Sequence, residues 1–505
     1  MTLLHRHPAH RGSGGVSRNG GPAGYDRRLT LPLALGSLLN PINSSMIAVA
    51  LVPIGIAFGA PAAQTVWLVT ALYLVTAVGQ PVVGRVVDLV GPRRPYLVGA
   101  ALVGVAGLLG ALAPSLGVLV LARALLGLGT CAAYPAAMWL VRRATERSGE
   151  DRGIATVLTV LAVTNQVTMI VGPTLGGLLV GAGGWRAIFL VNVPLAAACL
   201  VLGGLRLPRA TPADHAADHA ADHAPDDPRD DDTALATRLD VLGVLLFAAA
   251  LTSLMLVLVG AAPWWVLAAT AVTGAWFARH ELRAPRPFID LRLLAGNRPL
   301  LLTYARALLT ATATYAFMFG YVQWLEQGRG LSEAAAGLLM LPTSVVAVAV
   351  ASATGRRAPV RTALLVGSGS LLLGGAVLAV VEPASPTWLL VLAGVGIGGM
   401  QGLAGLAHQK ALARQADAAS VGAASGLLRT FMYLGALVST AAIAALYADG
   451  PTTAGLHDLA LAMAACAVVV AALTLVDRSL RRLPTTVRTV PAPVPAPVPA
   501  PGENR

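Results

Sequence analysis

A chain of 505 residues that is 56% hydrophobic and only 12% charged cannot wet the surface of a soluble protein, which takes roughly 25% charged residues. Its apolar residues run in long blocks rather than in alternation, so a membrane β-barrel is excluded as well. The net charge of +12 does not point to nucleic acid, because the arginines sit in short loops between apolar blocks, where cytoplasmic membrane flanks carry them.

Residues 1–28 form an arm with Arg6, Arg11, Arg18, Arg27 and Arg28 and no Ala-x-Ala cleavage site, so the first apolar block is expected to stay as a signal-anchor helix. Blocks long enough to span follow at about 30–52, 64–84, 95–113, 116–140, 154–180, 186–205, 240–260, 263–279, 299–322, 333–353, 362–381, 387–408, 420–446 and 457–476. The fold class expected is an all-α membrane protein of about fourteen helices. Basic residues recur in every second connection: Arg93 and Arg94; Arg142, Arg143 and Arg147; Arg206 and Arg209; Arg283, Arg286 and Arg292; Arg356, Arg357 and Arg361; Lys410 and Arg414. The intervening loops are nearly free of them, Arg186 and Arg329 excepted. The positive-inside rule then places both termini in the cytoplasm and requires an even number of spans.

Two six-helix halves, 29–206 and 299–477, bracket a cytoplasmic linker at 207–238, an extra helix pair at 239–280 and a cytoplasmic loop at 281–298; a cytoplasmic tail follows at 478–505. The linker repeats Asp214-His215, Asp218-His219 and Asp222-His223. Histidines four apart on a helix could ligate Zn²⁺ or Ni²⁺, but so biased a tract reads better as a solvated linker, and no metal is assigned. The Pro-Ala-Pro-Val repeat from Pro491 to Pro501 reads as an extended polyproline spacer. Cys131, Cys199 and Cys466 lie inside apolar blocks and read as small buried hydrophobes. Arginine supplies nearly all the positive charge, Lys410 being the only lysine; with the Ala, Gly, Leu and Val content this points to a GC-rich bacterial genome.

After the second block stands Gly84-Arg85-Val86-Val87-Asp88-Leu89-Val90-Gly91-Pro92-Arg93-Arg94. Gly84 permits close helix approach, Gly91 permits chain reversal, and Asp88 can cap a helix or pair with an arginine as a charge latch that breaks in one transport state. This stretch resembles the signature loop of the major facilitator superfamily. Arg123, Gly127, Gly129 and Pro135 resemble that superfamily's membrane-arginine motif, with Leu126 where a glutamine is usual. Gly172-Pro173-Thr174-Leu175-Gly176-Gly177 resembles its antiporter motif, which is commoner in exporters. Trp185-Arg186, Phe189, Asn192 and Pro194 resemble a stretch of the fourteen-helix drug/proton antiporter branch.

The resemblance implies two rocking halves, no cofactor, a small-molecule substrate and a proton as coupling ion. This chain departs from the branch where an aspartate is usual in the first helix, since Asn43 stands there. The arginine of the thirteenth helix stands at Arg429, one turn from its usual place, and the second signature loop survives only as Gly355-Arg356-Arg357.

No Asp or Glu lies in the middle of a predicted span; Glu326, at the outer end of the ninth, comes nearest and is the candidate proton site. Arg123, Arg306 and Arg429 lie within spans, where an ionisable residue by default serves function; Arg306, near the inner end, could instead snorkel. Asn40, Asn43, Gln80, Asn165, Gln166, Tyr304, Tyr315, Gln323, Gln401 and Tyr433 are candidate cavity liners, each also able to serve as an interhelical tie. The charge pattern favours neutral or anionic substrates. Absence of any nucleophile–base or metal constellation argues against an enzyme. The expectation is thus a monomeric, proton-coupled exporter of small organic molecules in the lipid bilayer, with an importer or a non-transporting receptor as the rival classes.

Overall fold

The computed structural model describes residues 29–148, 168, 171–208, 240–258, 262–284, 287, 289, 291–354, 358–416 and 421–481. Among the described residues, fourteen helices run back and forth through one bundle: α1 (Leu31–Phe58), α2 (Trp67–Val90), α3 (Arg93–Ala111), α4 (Leu116–Thr130, then Ala133–Ser148), α5 (Val171–Gly183), α6 (Ala187–Arg206), α7 (Val241–Leu258), α8 (Val266–Glu281), α9 (Arg298–Ala316 and onward to Gly328), α10 (Glu333–Thr354), α11 (Val360–Leu378), α12 (Thr387–Gln415), α13 (Val421–Leu446) and α14 (Thr453–Val476). Ten of them are long and apolar enough to cross a membrane. The chain is a multi-pass membrane protein with no described strand, as backbone groups without water require.

Local sequence sets the helix starts. Ser115, Asn297, Ser332 and Thr452 each accept a backbone N–H from three residues on, which satisfies a donor the helix leaves open. Gly91 ends α2 at φ +79°, a conformation that side chains resist. Every expected block holds a helix, but several run longer. α1 reaches Phe58, α2 reaches Val90 and α9 reaches Gly328. The Asp/His repeat, most of the expected fifth block (154–167) and the Pro-Ala tail lie outside the described residues.

The two halves repeat one packing scheme. α3 packs on α4 and α6, and α2 on α4; correspondingly α11 packs on α12 and α14, and α10 on α12. Such internal repeats are what transporter folds rock against each other. Across the seam α2 packs on α13; the extra hairpin α7–α8 leans through α7 on those same two helices. Outward faces are apolar, with Val98, Leu121, Val272, Leu373 and Val468 exposed as lipid contact demands. Trp264, Trp265 and Trp388 are exposed near the helix ends opposite the basic loops, where an interfacial aromatic belt belongs.

Candidate substrate path between the two halves

The first helix of each half departs from α geometry. α1 carries Pro41, which leaves its carbonyl to the hydroxyls of Ser44 and Ser45 (3.0 and 2.6 Å), and tightens to a 3₁₀ turn at Ile47–Ala50. α9 widens into π turns at Phe317–Tyr321 and Trp324–Gly328. Such irregular turns recur at hinges and functional sites. The 3₁₀ turn and the first π turn are fully buried and pack on each other across the seam.

Across the seam α5 and α10 come into close contact. Thr174 donates its hydroxyl to the Gly337 carbonyl at 2.9 Å. A Cβ on Gly177 would fall 2.6 Å from the Glu333 carbonyl oxygen, so only glycine fits. Within the first half Gly172 and Gly176 face Ser45 and Met46 of α1 in the same way, and across the seam Thr70 of α2 reaches Thr440 of α13 at 3.4 Å. The α5–α10 and α2–α13 contacts lie toward the end away from the basic loops, so the bundle is closed there. Outside the closure a cleft of about 490 Å³ remains, bordered by Ile56, Thr65, Gln323, Gln327 and Asp449.

Midway through the bundle the seam is aromatic. Tyr73 (α2) meets Tyr315 (α9) edge-on at 5.1 Å and Tyr433 (α13) at 5.8 Å between centroids. The Arg429 guanidinium (α13) lies 3.5 Å above the ring of Tyr134 (α4). Two helices from each half therefore supply one cluster of rings around a cation.

Arg123 is buried, with Nε donating to the Leu68 carbonyl and Nη1 to the Asn43 carbonyl, both at 2.8 Å. Asn43 and Asn192 exchange amide hydrogen bonds at 2.5 and 2.8 Å. This ties α1 to α6, and Trp185 packs tilted on Phe58 of α1 and edge-on to Phe189 of α6.

A model of the Major Facilitator Superfamily matches residues 33–440. The chain belongs to the Major Facilitator Superfamily. It is 30% identical over 436 residues to YwoD, an MFS-type transporter of Bacillus subtilis, a match that covers 84% of this chain and 90% of that one. The multidrug efflux pump LfrA of Mycolicibacterium smegmatis is 30% identical over 426 residues, 82% of this chain and 79% of the pump. The multidrug resistance protein Stp of Mycobacterium tuberculosis is 29% identical over 430 residues, 82% of this chain and 74% of its own. A crystal structure of the nucleoside transporter NupG shares the fold at a TM-score of 0.56 and 14% identity, covering 88% of this chain and 99% of that one. The chain is a secondary transporter of small molecules and not an enzyme.

Within this facilitator fold the sequence-predicted residues separate into distinct places. Tyr315, Tyr433 and Arg429 converge on the central cluster, while Gln80 is buried two turns along α2 from Tyr73 with its Oε1 unbonded. Gln323 borders the outer cleft. Asn40 donates to Thr130 at 2.9 Å, Tyr304 donates to the Ala424 carbonyl at 3.0 Å, and Gln401 is half-buried on α12. Asn165 and Gln166 lie outside the described residues, as does the side chain of Asp88 in the last turn of α2. Arg93 donates to the Gly204 carbonyl at 2.6 Å, Arg94 is exposed, and Gly84 faces Pro135 of α4.

Arg306 does not snorkel. It is fully buried, paired with Asp477 at 2.9 Å and hydrogen-bonded to Thr303 at 2.8 Å. Asp477 stands one residue past the last helix, outside the window searched for spanning acids, so sequence reasoning missed it. Tyr73 and Tyr134 were missed too, although Tyr315 and Tyr433 of the same cluster were among the candidates. Glu326 sits in the second π turn of α9, 7% exposed, with neither oxygen hydrogen-bonded.

Proposed function

We propose that this transporter exports small, largely apolar organic molecules that are neutral or anionic, by proton-coupled alternating access from the cytoplasmic side. The observation that carries the reading is the closure between α5 and α10. Gly177 against Glu333 and Gly337, with Thr174 bonded to Gly337, seals the end opposite the basic loops. With the basic loops cytoplasmic, the sealed end is external, which is the state in which a substrate would load from within. The relatives named for multidrug resistance and efflux support the same direction.

Glu326 is the proton site of this scheme. A carboxyl deprived of water and hydrogen-bond donors is costly to ionise where it lies, so a change in its surroundings on opening couples it to the proton. Asp88 and the arginines that follow it act as the latch whose pairing biases one state.

The test is transport in two directions. Everted vesicles energised to an acidic interior should accumulate a neutral hydrophobic dye, and a protonophore should abolish accumulation. Uptake by intact cells under the same gradient, without accumulation in everted vesicles, would establish an importer instead.

A further inference from the structure

The arginines inside the bundle are satisfied in different ways. Arg123 donates to two backbone carbonyls, its Nη2 left unbonded, and Arg306 is neutralised by Asp477. Arg429 has neither. No carboxylate among the described residues forms an ion pair with it, and its guanidinium rests on the face of Tyr134. Around it stand Tyr73, Tyr315 and Tyr433, buried at 8% exposure or less. The Tyr73 hydroxyl closes no hydrogen bond of normal length, nor does Gln80 Oε1 on the same face of α2.

A half-buried cation held by a ring face and a tyrosine hydroxyl but by no carboxylate, beside a wall of aromatic faces, is incomplete as an interior. It is complete as a site for something that brings a negative charge and a planar ring. We propose that Arg429 and the Tyr73–Tyr315–Tyr433 cluster bind aromatic carboxylates in exchange for the Tyr134 ring, which narrows the neutral-or-anionic class of the exporter reading and rests on it.

The carboxylate takes the guanidinium through charge-assisted, two-pronged hydrogen bonds, which outcompete the cation–π contact with Tyr134. The ligand's ring stacks among the tyrosines, with the Tyr73 hydroxyl as a further donor. Because Tyr134 belongs to α4 and Arg429 to α13, the same exchange removes a bond between the halves. Binding energy is thereby linked to their separation. A quaternary ammonium of equal shape meets the unneutralised charge of Arg429 instead and is disfavoured.

The test uses three matched fluorescent probes, 2-naphthoate, 2-naphthamide and 2-naphthyl-trimethylammonium, in equilibrium dialysis against the full chain in nanodiscs, with empty nanodiscs subtracted. The expected result is at least tenfold tighter binding of naphthoate than of the amide, and weakest binding of the ammonium. Arg429→Gln should bring naphthoate down to the level of the amide while leaving the amide unchanged. Tyr134→Leu, which removes the competing ring, should strengthen naphthoate binding.

Equal binding of naphthoate and naphthamide by the wild type overturns the proposal, as does a naphthoate preference that survives in Arg429→Gln. Should Arg429→Gln fail to fold, the ranking of the three probes on the wild type decides alone. Failure here with intact dye efflux from vesicles removes the aromatic carboxylate site and leaves the exporter. Charge-ranked binding without efflux does the reverse.

Discussion

Asn43 on α1 and Asn192 on α6 exchange both of their amide hydrogen bonds, at 2.5 and 2.8 Å, inside a core where each is at most 2% exposed. The branch that this chain resembles places an aspartate at position 43. Here the amide is occupied by a structural tie, and the backbone carbonyl of the same residue receives Arg123. Position 43 therefore holds two helices together instead of carrying charge. Asn43→Leu strands the Asn192 amide and should cost about 1–3 kcal/mol of stability. Asn43→Asp should cost less, because one of its oxygens still accepts from Asn192 Nδ2 whereas leucine keeps neither bond. Thermal midpoints of the purified variants in one detergent check this, and equal midpoints for the two would sink it.

The latch gives the second prediction. Asp88→Asn keeps the shape of the side chain and removes its charge, so insertion and expression should be normal while transport falls roughly tenfold, the equivalent of about 1.4 kcal/mol in the populations of two states. Arg93 already donates to Gly204 within its own half, so Arg93→Gln should lower stability as well as rate. Transport at the wild-type rate in Asp88→Asn, with equal protein in the membrane, would make the loop a turn and nothing more.

Topology is the third. With Cys131, Cys199 and Cys466 replaced by alanine, single cysteines at Ala217 in the linker and Pro495 in the tail should resist impermeant thiol reagents in intact cells. One at Thr453, the first residue of α14, should react. Reaction of the first two from outside would reverse the orientation that the basic loops assign.

The helices were legible in the sequence because lipid imposes one rule on every span: about 20 apolar residues with closed backbone bonds. Their ends were less so. Where α1 continues to Phe58 and α9 to Gly328, the determinant is tertiary, since the 3₁₀ and π turns are stabilised by each other across the seam. The site was legible only where a residue type is expensive in lipid. Arg123 and Arg306 stood out for that reason, and the structure then gave them carbonyl and Asp477 partners from helices far away in sequence. Tyr73 and Tyr134 stand out only once α2, α4, α9 and α13 are brought together. A tyrosine costs little in an apolar block, so nothing in its spacing announces that it faces another half of the molecule.

The last prediction joins substrate charge to proton coupling. Desolvating a cation in a low-dielectric cavity is costly unless a carboxylate offsets it. Among the described residues the middle of the seam offers Arg429 and tyrosine hydroxyls, while the nearest buried acid of α9, Glu326, lies in its last π turn. Loaded cells should thus export a neutral hydrophobic compound well and ethidium poorly, and strong ethidium export would refute the charge argument. Glu326 has no hydrogen-bond donor. Glu326→Gln replaces the proton-binding group with a neutral one of the same size and cannot follow the proton gradient. Export of the neutral compound should then persist downhill at a reduced rate and lose its sensitivity to a protonophore. If that export stays uphill and protonophore-sensitive in Glu326→Gln, the proton travels by another group, and Glu326 is a buried acid of the outer seam alone.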